Sequence, residues 1–63
     1  MYVLEYNEKS KVNDNYFAVR EKEDGTLAET CLYEDAVQFP SVETANAYAQ
    51  KFCLTDKVHP QRI

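Results

Sequence analysis

The sequence has little of several residue types on which particular kinds of site depend. It contains one glycine, which excludes a Gly-rich loop of the kind that cradles phosphate groups. Its two cysteines, Cys31 and Cys53, form no C-x-x-C pair, and with the single histidine, His59, they lack the short ligand spacing of structural zinc sites. We therefore expect no metal site, no cofactor and no catalytic residue, and we predict that the protein is not an enzyme.

Long apolar runs are also missing. No stretch approaches the roughly 18 apolar residues that span a bilayer, and the first residues lack the basic and apolar segments of a secretory signal. We therefore expect a cytoplasmic protein that does not enter a membrane. In a reducing compartment, Cys31 and Cys53 are expected to be free thiols that pack in the core.

The apolar content is nevertheless sufficient for one small fold. The 63 residues are 44% hydrophobic and 13% aromatic, which is too apolar for a disordered tail. A core of this size rarely supplies more than about 3 to 5 kcal/mol. The sequence predicts a single domain over residues 1–63 with marginal stability, which a homodimer or a partner protein would increase.

Three segments have the composition of antiparallel strands. In the first, Tyr2, Leu4 and Tyr6 recur with a period of two, which indicates one buried face. The second is rich in β-forming residues and ends before the turn dipeptide Asp24-Gly25, after which the third segment returns. These strands are expected at residues 2–6, 16–23 and 26–39.

The turn dipeptide leaves two hairpin registers open. A two-residue type I′ turn would oppose Arg20 to Glu29 and Tyr16 to Tyr33, a charge pair and an aromatic pair. A three-residue loop with Gly25 in the left-handed conformation would slide the pairing by one residue.

A helix is expected after the third strand. Pro40 ends the strand and Ser41 is a suitable N-cap, so the helix is predicted over residues 42–53, followed by an extended tail at 55–63. The predicted fold is therefore α+β: a three-stranded antiparallel β-meander with one C-terminal amphipathic helix packed on one face. The other face would be either open or covered by the long loop and the tail. The predicted apolar arc of the helix consists of Val42, Ala45, Tyr48, Ala49, Phe52 and Cys53.

Charge is distributed unevenly along the chain. The net charge is −4, and residues 16–35 hold six acidic and two basic residues, whereas the remainder is balanced. Two interpretations are open: a solvated edge that prevents sheet-to-sheet aggregation, or a surface that docks on a basic protein. For docking, tyrosines add large and rigid contact area. The candidate binding residues are Glu21, Glu23, Glu29, Glu34 and Asp35, with Tyr16 and Tyr33 as anchors.

Residues 16–53 resemble the arm-type DNA-binding domain of phage tyrosine integrases in the order of their elements. The resemblance lies in the turn Asp24-Gly25 and in the junction Val37-Gln38-Phe39-Pro40-Ser41-Val42-Glu43-Thr44-Ala45. It implies a nucleic-acid-binding sheet as the alternative function. In that family the sheet is basic, whereas the matching strands here are net negative, so nucleic acid is not the expected partner.

In size, acidity and tyrosine content, the chain is also similar to small accessory proteins of bacteriophages and mobile elements. Some of those proteins bind and inhibit host or defence proteins. This similarity implies a small acidic protein-binding module, of the type that inhibits a host or defence protein, as the leading expectation.

Overall fold

The computed structural model describes residues 1–9 and 16–63. Within them, the strands form one antiparallel sheet in the order β3-β2-β1-β4. This arrangement confirms the α+β class and the antiparallel sheet with one helix. No helix in these residues is long and apolar enough to cross a membrane. The elements are β1 (Tyr2–Tyr6), β2 (Ala18–Glu21), β3 (Leu27–Thr30), a 3₁₀ turn (Tyr33–Asp35), α1 (Val42–Lys51) and β4 (Val58–Arg62).

The expected three-stranded sheet and C-terminal helix are wrong, because the sheet has four strands and the helix lies mid-chain. The C-terminal tail forms β4, which pairs with β1 at five positions from Tyr2↔Arg62 to Tyr6↔Val58. Pro60 is tolerated because β4 is an edge strand and Pro60 occupies a position whose nitrogen faces away from β1. The tail therefore joins the edge of the sheet and does not cover a face.

The hairpin between β2 and β3 has the three-residue register. Val19 opposes Glu29, and the N–H of Lys22 donates to the Thr26 carbonyl at 2.8 Å. Gly25 adopts the left-handed conformation with φ 85°, as this loop requires. The two-residue register, with its aromatic pair and its charge pair, is wrong.

A side chain in the loop explains this choice of register. The carboxylate of Asp24 accepts hydrogen bonds from the N–H of Thr26 at 3.0 Å and from its hydroxyl at 2.6 Å. These bonds lower the pKa of Asp24. The Thr26 N–H is thus bonded within the loop, which stabilises the three-residue turn.

The third strand is shorter than the expected segment 26–39. It ends at Thr30, whose hydroxyl accepts a hydrogen bond from the N–H of Leu32 at 3.1 Å as the chain bends. After the 3₁₀ turn, the chain returns to β1 through two backbone hydrogen bonds between Tyr2 and Phe39, of 2.9 and 2.8 Å. The segment after β3 therefore bonds to β1 and does not extend the hairpin.

The two faces of the sheet pack against different segments. On one face, α1 covers the main core, and on the opposite face Val3 and Ala18 pack against Ala36, which follows the 3₁₀ turn. The opposite face is thus partly covered by the segment after β3. The main core consists of Leu4, Val19, Phe39, Ala45, Ala49 and Val58.

Helix α1 begins where the sequence predicted. The Ser41 hydroxyl accepts a hydrogen bond from the N–H of Thr44 at 3.2 Å, which confirms Ser41 as the N-cap. The apolar arc is only partly buried. Ala45 and Ala49 are buried, whereas Val42 is exposed.

The C-terminus of α1 is a Schellman motif without glycine. The N–H of Leu54 donates to the Ala49 carbonyl at 2.8 Å, and the N–H of Cys53 donates to the Gln50 carbonyl at 3.1 Å. Cys53 therefore occupies the left-handed position with φ 57° and is exposed. Cys31 is exposed as well, because β3 ends before it, so the expected burial of both thiols is wrong.

Replacing Cys53 with glycine is expected to stabilise the protein by about 1 kcal/mol, because a left-handed residue with a Cβ is disfavoured by roughly that amount. Urea denaturation would measure the change. Cys53→Ala is the matched control, since it removes the thiol but keeps the Cβ. Equal stabilisation by both substitutions would contradict this explanation.

Candidate binding surface

A buried carboxylate lies on the sheet face opposite α1. Glu5 of β1 is 8% exposed, and it is paired across the sheet with His59 of β4, so both side chains point to the same face. The Tyr33 hydroxyl donates to Glu5 Oε2 at 2.7 Å, and His59 Nε2 lies 3.3 Å from Glu5 Oε1. Both oxygens of this carboxylate therefore have a partner, as a buried charge requires.

The second ring nitrogen of His59 also faces an acceptor. His59 Nδ1 lies 2.6 Å from Asn7 Oδ1, and the Asn7 amide nitrogen donates to the Asp56 carbonyl at 3.2 Å. That second bond fixes the orientation of the amide, with its oxygen toward the ring. A doubly protonated His59 ring would donate to Asn7 and to Glu5 at once. The tail that was expected to be extended is thus a strand, and its histidine belongs to a hydrogen-bonded network across β1 and β4.

The same network changes the acidity of a tyrosine. The hydrogen bond from Tyr33 to Glu5, followed by burial and by the negative charge of Glu5, raises the pKa of the Tyr33 phenol. Each of these effects favours the neutral phenol over the phenolate. The Tyr33 hydroxyl therefore remains a hydrogen-bond donor to Glu5, and this bond orients the tyrosine ring over the sheet.

A surface with two exposed tyrosines adjoins this network. A shallow depression of about 370 Å³ is lined by Glu5, Tyr16, Cys31 and Tyr33. Tyr16 is 42% exposed and Tyr33 is 41% exposed, and Leu32, the chain neighbour of Tyr33, is 49% exposed. We call the surface lined by Tyr16, Cys31 and Tyr33, together with the exposed Leu32 that lies between Cys31 and Tyr33 in the chain, the tyrosine face. It brings together the two tyrosines that the sequence indicated as anchors.

Two of the predicted acidic residues lie away from the tyrosine face. Glu21 accepts a hydrogen bond from the Tyr48 hydroxyl of α1 at 3.3 Å. Burial, the negative charge of Glu21 and this hydrogen bond raise the pKa of Tyr48. Glu29 opposes Val19, whose side chain belongs to the core beneath α1. Glu21 and Glu29 therefore point to the helix side of the sheet.

The other predicted acids lie at the two ends of the segment that contains β3. Glu23 is exposed in the turn between β2 and β3. Glu34 and Asp35 belong to the 3₁₀ turn that begins at Tyr33, and both are exposed. The structure thus places Glu34 and Asp35 next to the tyrosine face in the chain.

The sequence did not point to Glu5, Asn7 or His59 as members of a site. The alternation in β1 only indicated that Glu5 lies on the face away from Leu4, and nothing indicated that His59 would lie opposite it. Among residues 1–9 and 16–63, no cluster of three or more His, Cys, Asp or Glu side chains could hold a metal ion.

Comparisons with protein-family models, curated proteins and solved structures found no match to this chain. The residues that can carry a function are therefore those that the fold brings together. On the described surface, these are the tyrosine face and the network of Glu5, His59 and Asn7 beneath and beside it.

Replacing Glu5 with glutamine is expected to lower the pKa of Tyr33 toward its ordinary value of about 10, because the negative charge that favours the neutral phenol is removed. In the wild type, the raised pKa means that the contact stabilises the fold below about pH 10 and that this stabilisation is lost as the pH rises through the folded-state pKa. NMR titration of ¹³C-labelled tyrosine would measure both proteins. An unchanged Tyr33 titration in Glu5→Gln would contradict the assignment.

Proposed function

We propose that the protein is a small acidic non-enzymatic module that binds another protein through its tyrosine face. The supporting observation is the clustering of exposed apolar side chains. Six large hydrophobic side chains are exposed among the described residues; two of them, Tyr16 and Tyr33, line one depression, and a third, Leu32, precedes Tyr33 in the chain. Exposed tyrosines that lie close together are typical of interaction sites, because each offers a large and rigid contact area.

The hydrogen bond beneath the face prepares it for binding. Tyr33 is fixed through its hydroxyl to Glu5 at 2.7 Å, so less side-chain freedom is lost when a partner covers the ring. The exposed carboxylates of Glu34 and Asp35 follow Tyr33 directly in the chain. They favour a partner whose contact surface is basic, which gives specificity and faster association.

The contacts of the polar side chains support a binding role over catalysis. The carboxylate of Glu5 is engaged by Tyr33 and His59, and the other nitrogen of His59 is engaged by Asn7. A general base would need an oxygen or nitrogen directed at a substrate. The similarity to small phage accessory proteins makes a bacterial host or defence protein the proposed target, which the module would inhibit.

Affinity capture from a bacterial lysate tests this function with a matched pair of variants. Leu32→Asp places a charge in the tyrosine face, whereas Val42→Asp places one at an exposed position of α1. We expect the wild type and Val42→Asp to capture the same protein, and Leu32→Asp to lose it. Equal capture by both variants would contradict the proposal. Binding of duplex DNA at low salt, which Leu32→Asp leaves unchanged, would instead favour the nucleic-acid function.

A further inference from the structure

The two edges of the sheet differ in the backbone groups that they offer. At the β4 edge, the backbone bonds from Asn7 to Lys57 and from Ile63 to Met1 set the alternation of the β1–β4 ladder. The backbone groups of Val58 and Pro60 therefore point away from β1. The N–H of Val58 already donates to the Leu54 carbonyl at 3.1 Å, and proline has no N–H. The β4 edge is therefore protected against pairing with another strand.

The β3 edge offers a regular set of donors and acceptors. The bond from Lys22 to Thr26 sets the alternation of the β2–β3 ladder, in which Ala28 and Thr30 are hydrogen-bonded to β2. The N–H and C=O groups of Leu27 and Glu29 then point away from the sheet. In the order of the described strands β3 is terminal, so no described strand pairs with these groups.

The side chains of β3 present a different chemistry on each face. Glu29 is exposed on the helix side of the sheet, next to the half-buried Leu27. On the opposite face, Ala28 and Thr30 are small and half-buried, and they oppose Arg20 and Ala18 of β2. A strand laid along this edge would therefore meet the Glu29 carboxylate on one face and two small, half-buried side chains on the other.

We propose that the β3 edge binds an extended segment of the partner protein by strand addition, and that this segment alternates Lys or Arg with β-branched apolar residues. The basic side chains would face Glu29, and the apolar ones would lie beside Ala28 and Thr30. The partner's backbone would bond to the outward groups of Leu27 and Glu29. The carboxylates of Glu29 and Glu21, which lie on the helix side of the hairpin, make a basic segment the complementary one. The inference rests on the proposed protein-binding function and specifies the form of the partner.

Titration of the ¹⁵N-labelled protein with the capped peptide TKVKVKT tests the proposal at low salt. We expect the amide resonances of Leu27 and Glu29 to move downfield and their hydrogen exchange to slow, since both N–H groups gain acceptors. Glu29→Lys is expected to weaken binding of this peptide about tenfold, because it reverses the charge of the side chain that faces the added strand. Glu43→Lys, at an exposed position of α1, is the matched control and should bind as the wild type does.

Two further peptides separate strand addition from general attraction between charges. The same peptide with N-methyl groups on its three central amides keeps the charge but cannot form the ladder, and it should not bind. The peptide TEVEVET keeps the ladder but has the opposite charge, and it should bind far more weakly. Equal binding of the methylated peptide, or no shift of Leu27 and Glu29 with TKVKVKT, would overturn the proposal.

The outcome can be told apart from failure of the proposed function. Leu32→Asp should lose capture of the partner from lysate while it keeps binding of TKVKVKT at β3. Peptide binding with no capture by any form of the protein would leave the β3 edge supported and the tyrosine face unsupported. Capture that depends on Leu32, without a peptide effect at Leu27 and Glu29, would support the tyrosine face and overturn strand addition at the β3 edge.

Discussion

Deleting residues 58–63 is expected to unfold the protein. These residues form β4, which pairs with β1 at five positions, and Val58 is part of the main core beneath α1. The deletion also removes His59, the partner of the buried Glu5. Because a core of this size supplies only about 3 to 5 kcal/mol, the loss of one of the four described strands exceeds the available stability. Circular dichroism and the dispersion of the amide NMR spectrum would measure the result.

Deletion of Ile63 alone is the matched control. Ile63 lies beyond β4 and its side chain is exposed, so this shorter chain should keep a cooperative thermal transition. If the protein without residues 58–63 also melted cooperatively near the wild-type temperature, the tail would be dispensable and β4 would not be part of the stable fold.

Leu4→Ala is expected to leave most molecules unfolded at 25 °C. Leu4 is fully buried and lies in the main core with Val58 from β4 and Ala45 from α1. Truncation of a buried leucine to alanine costs about 2 to 5 kcal/mol, which is comparable to the whole stability of a domain this small. Urea denaturation followed by circular dichroism would show the loss of the folded baseline.

Leu32→Ala is the control for the same chemical change at the surface. Leu32 is half exposed on the tyrosine face, so its truncation should change the free energy of unfolding by less than about 0.5 kcal/mol. A large and equal destabilisation by Leu4→Ala and Leu32→Ala would contradict the division into core and contact surface. A folded Leu32→Ala protein would also be suitable for binding experiments.

Local signals in the sequence were sufficient for part of the fold. The alternation of Tyr2, Leu4 and Tyr6 predicted β1, and Ser41 before an apolar arc predicted the start of α1. Both signals depend on neighbouring residues only. The strand β4 gave no comparable signal, because the segment V-H-P-Q-R has one aliphatic residue and a proline, and it becomes a strand only by pairing with β1.

Two further differences between the expected and the observed fold have identifiable side-chain causes. The hairpin register was open between two loops, and the bonds from Thr26 to the Asp24 carboxylate favour the three-residue loop. The end of α1 lacked the usual glycine signal, and Cys53 takes the left-handed position instead, which exposes a thiol that the helical period had placed in the core.

The candidate binding surface was predictable in its aromatic part and not in its polar part. Tyr16 and Tyr33 line one depression, although they are not the cross-strand pair that the two-residue register implied. The contact between Glu5 and His59 depends on the register of β1 with β4, which no local pattern encodes.

The acidic residues do not form one continuous surface. The alternation of side chains along the hairpin directs Glu21 and Glu29 to the helix side, whereas Glu34 and Asp35 follow Tyr33 in the 3₁₀ turn. The net charge of residues 16–35 does not reveal this division. The division depends on the register of β2 with β3 and on where β3 ends.

Site-specific photo-crosslinking in a bacterial lysate tests the central claim most directly. A photoreactive phenylalanine analogue would be placed at position 32 on the tyrosine face and, in a second protein, at the exposed position 47 of α1. The proposed function predicts a cross-link to one discrete protein from position 32 and none from position 47. A discrete cross-link from position 47 with none from position 32 would contradict it.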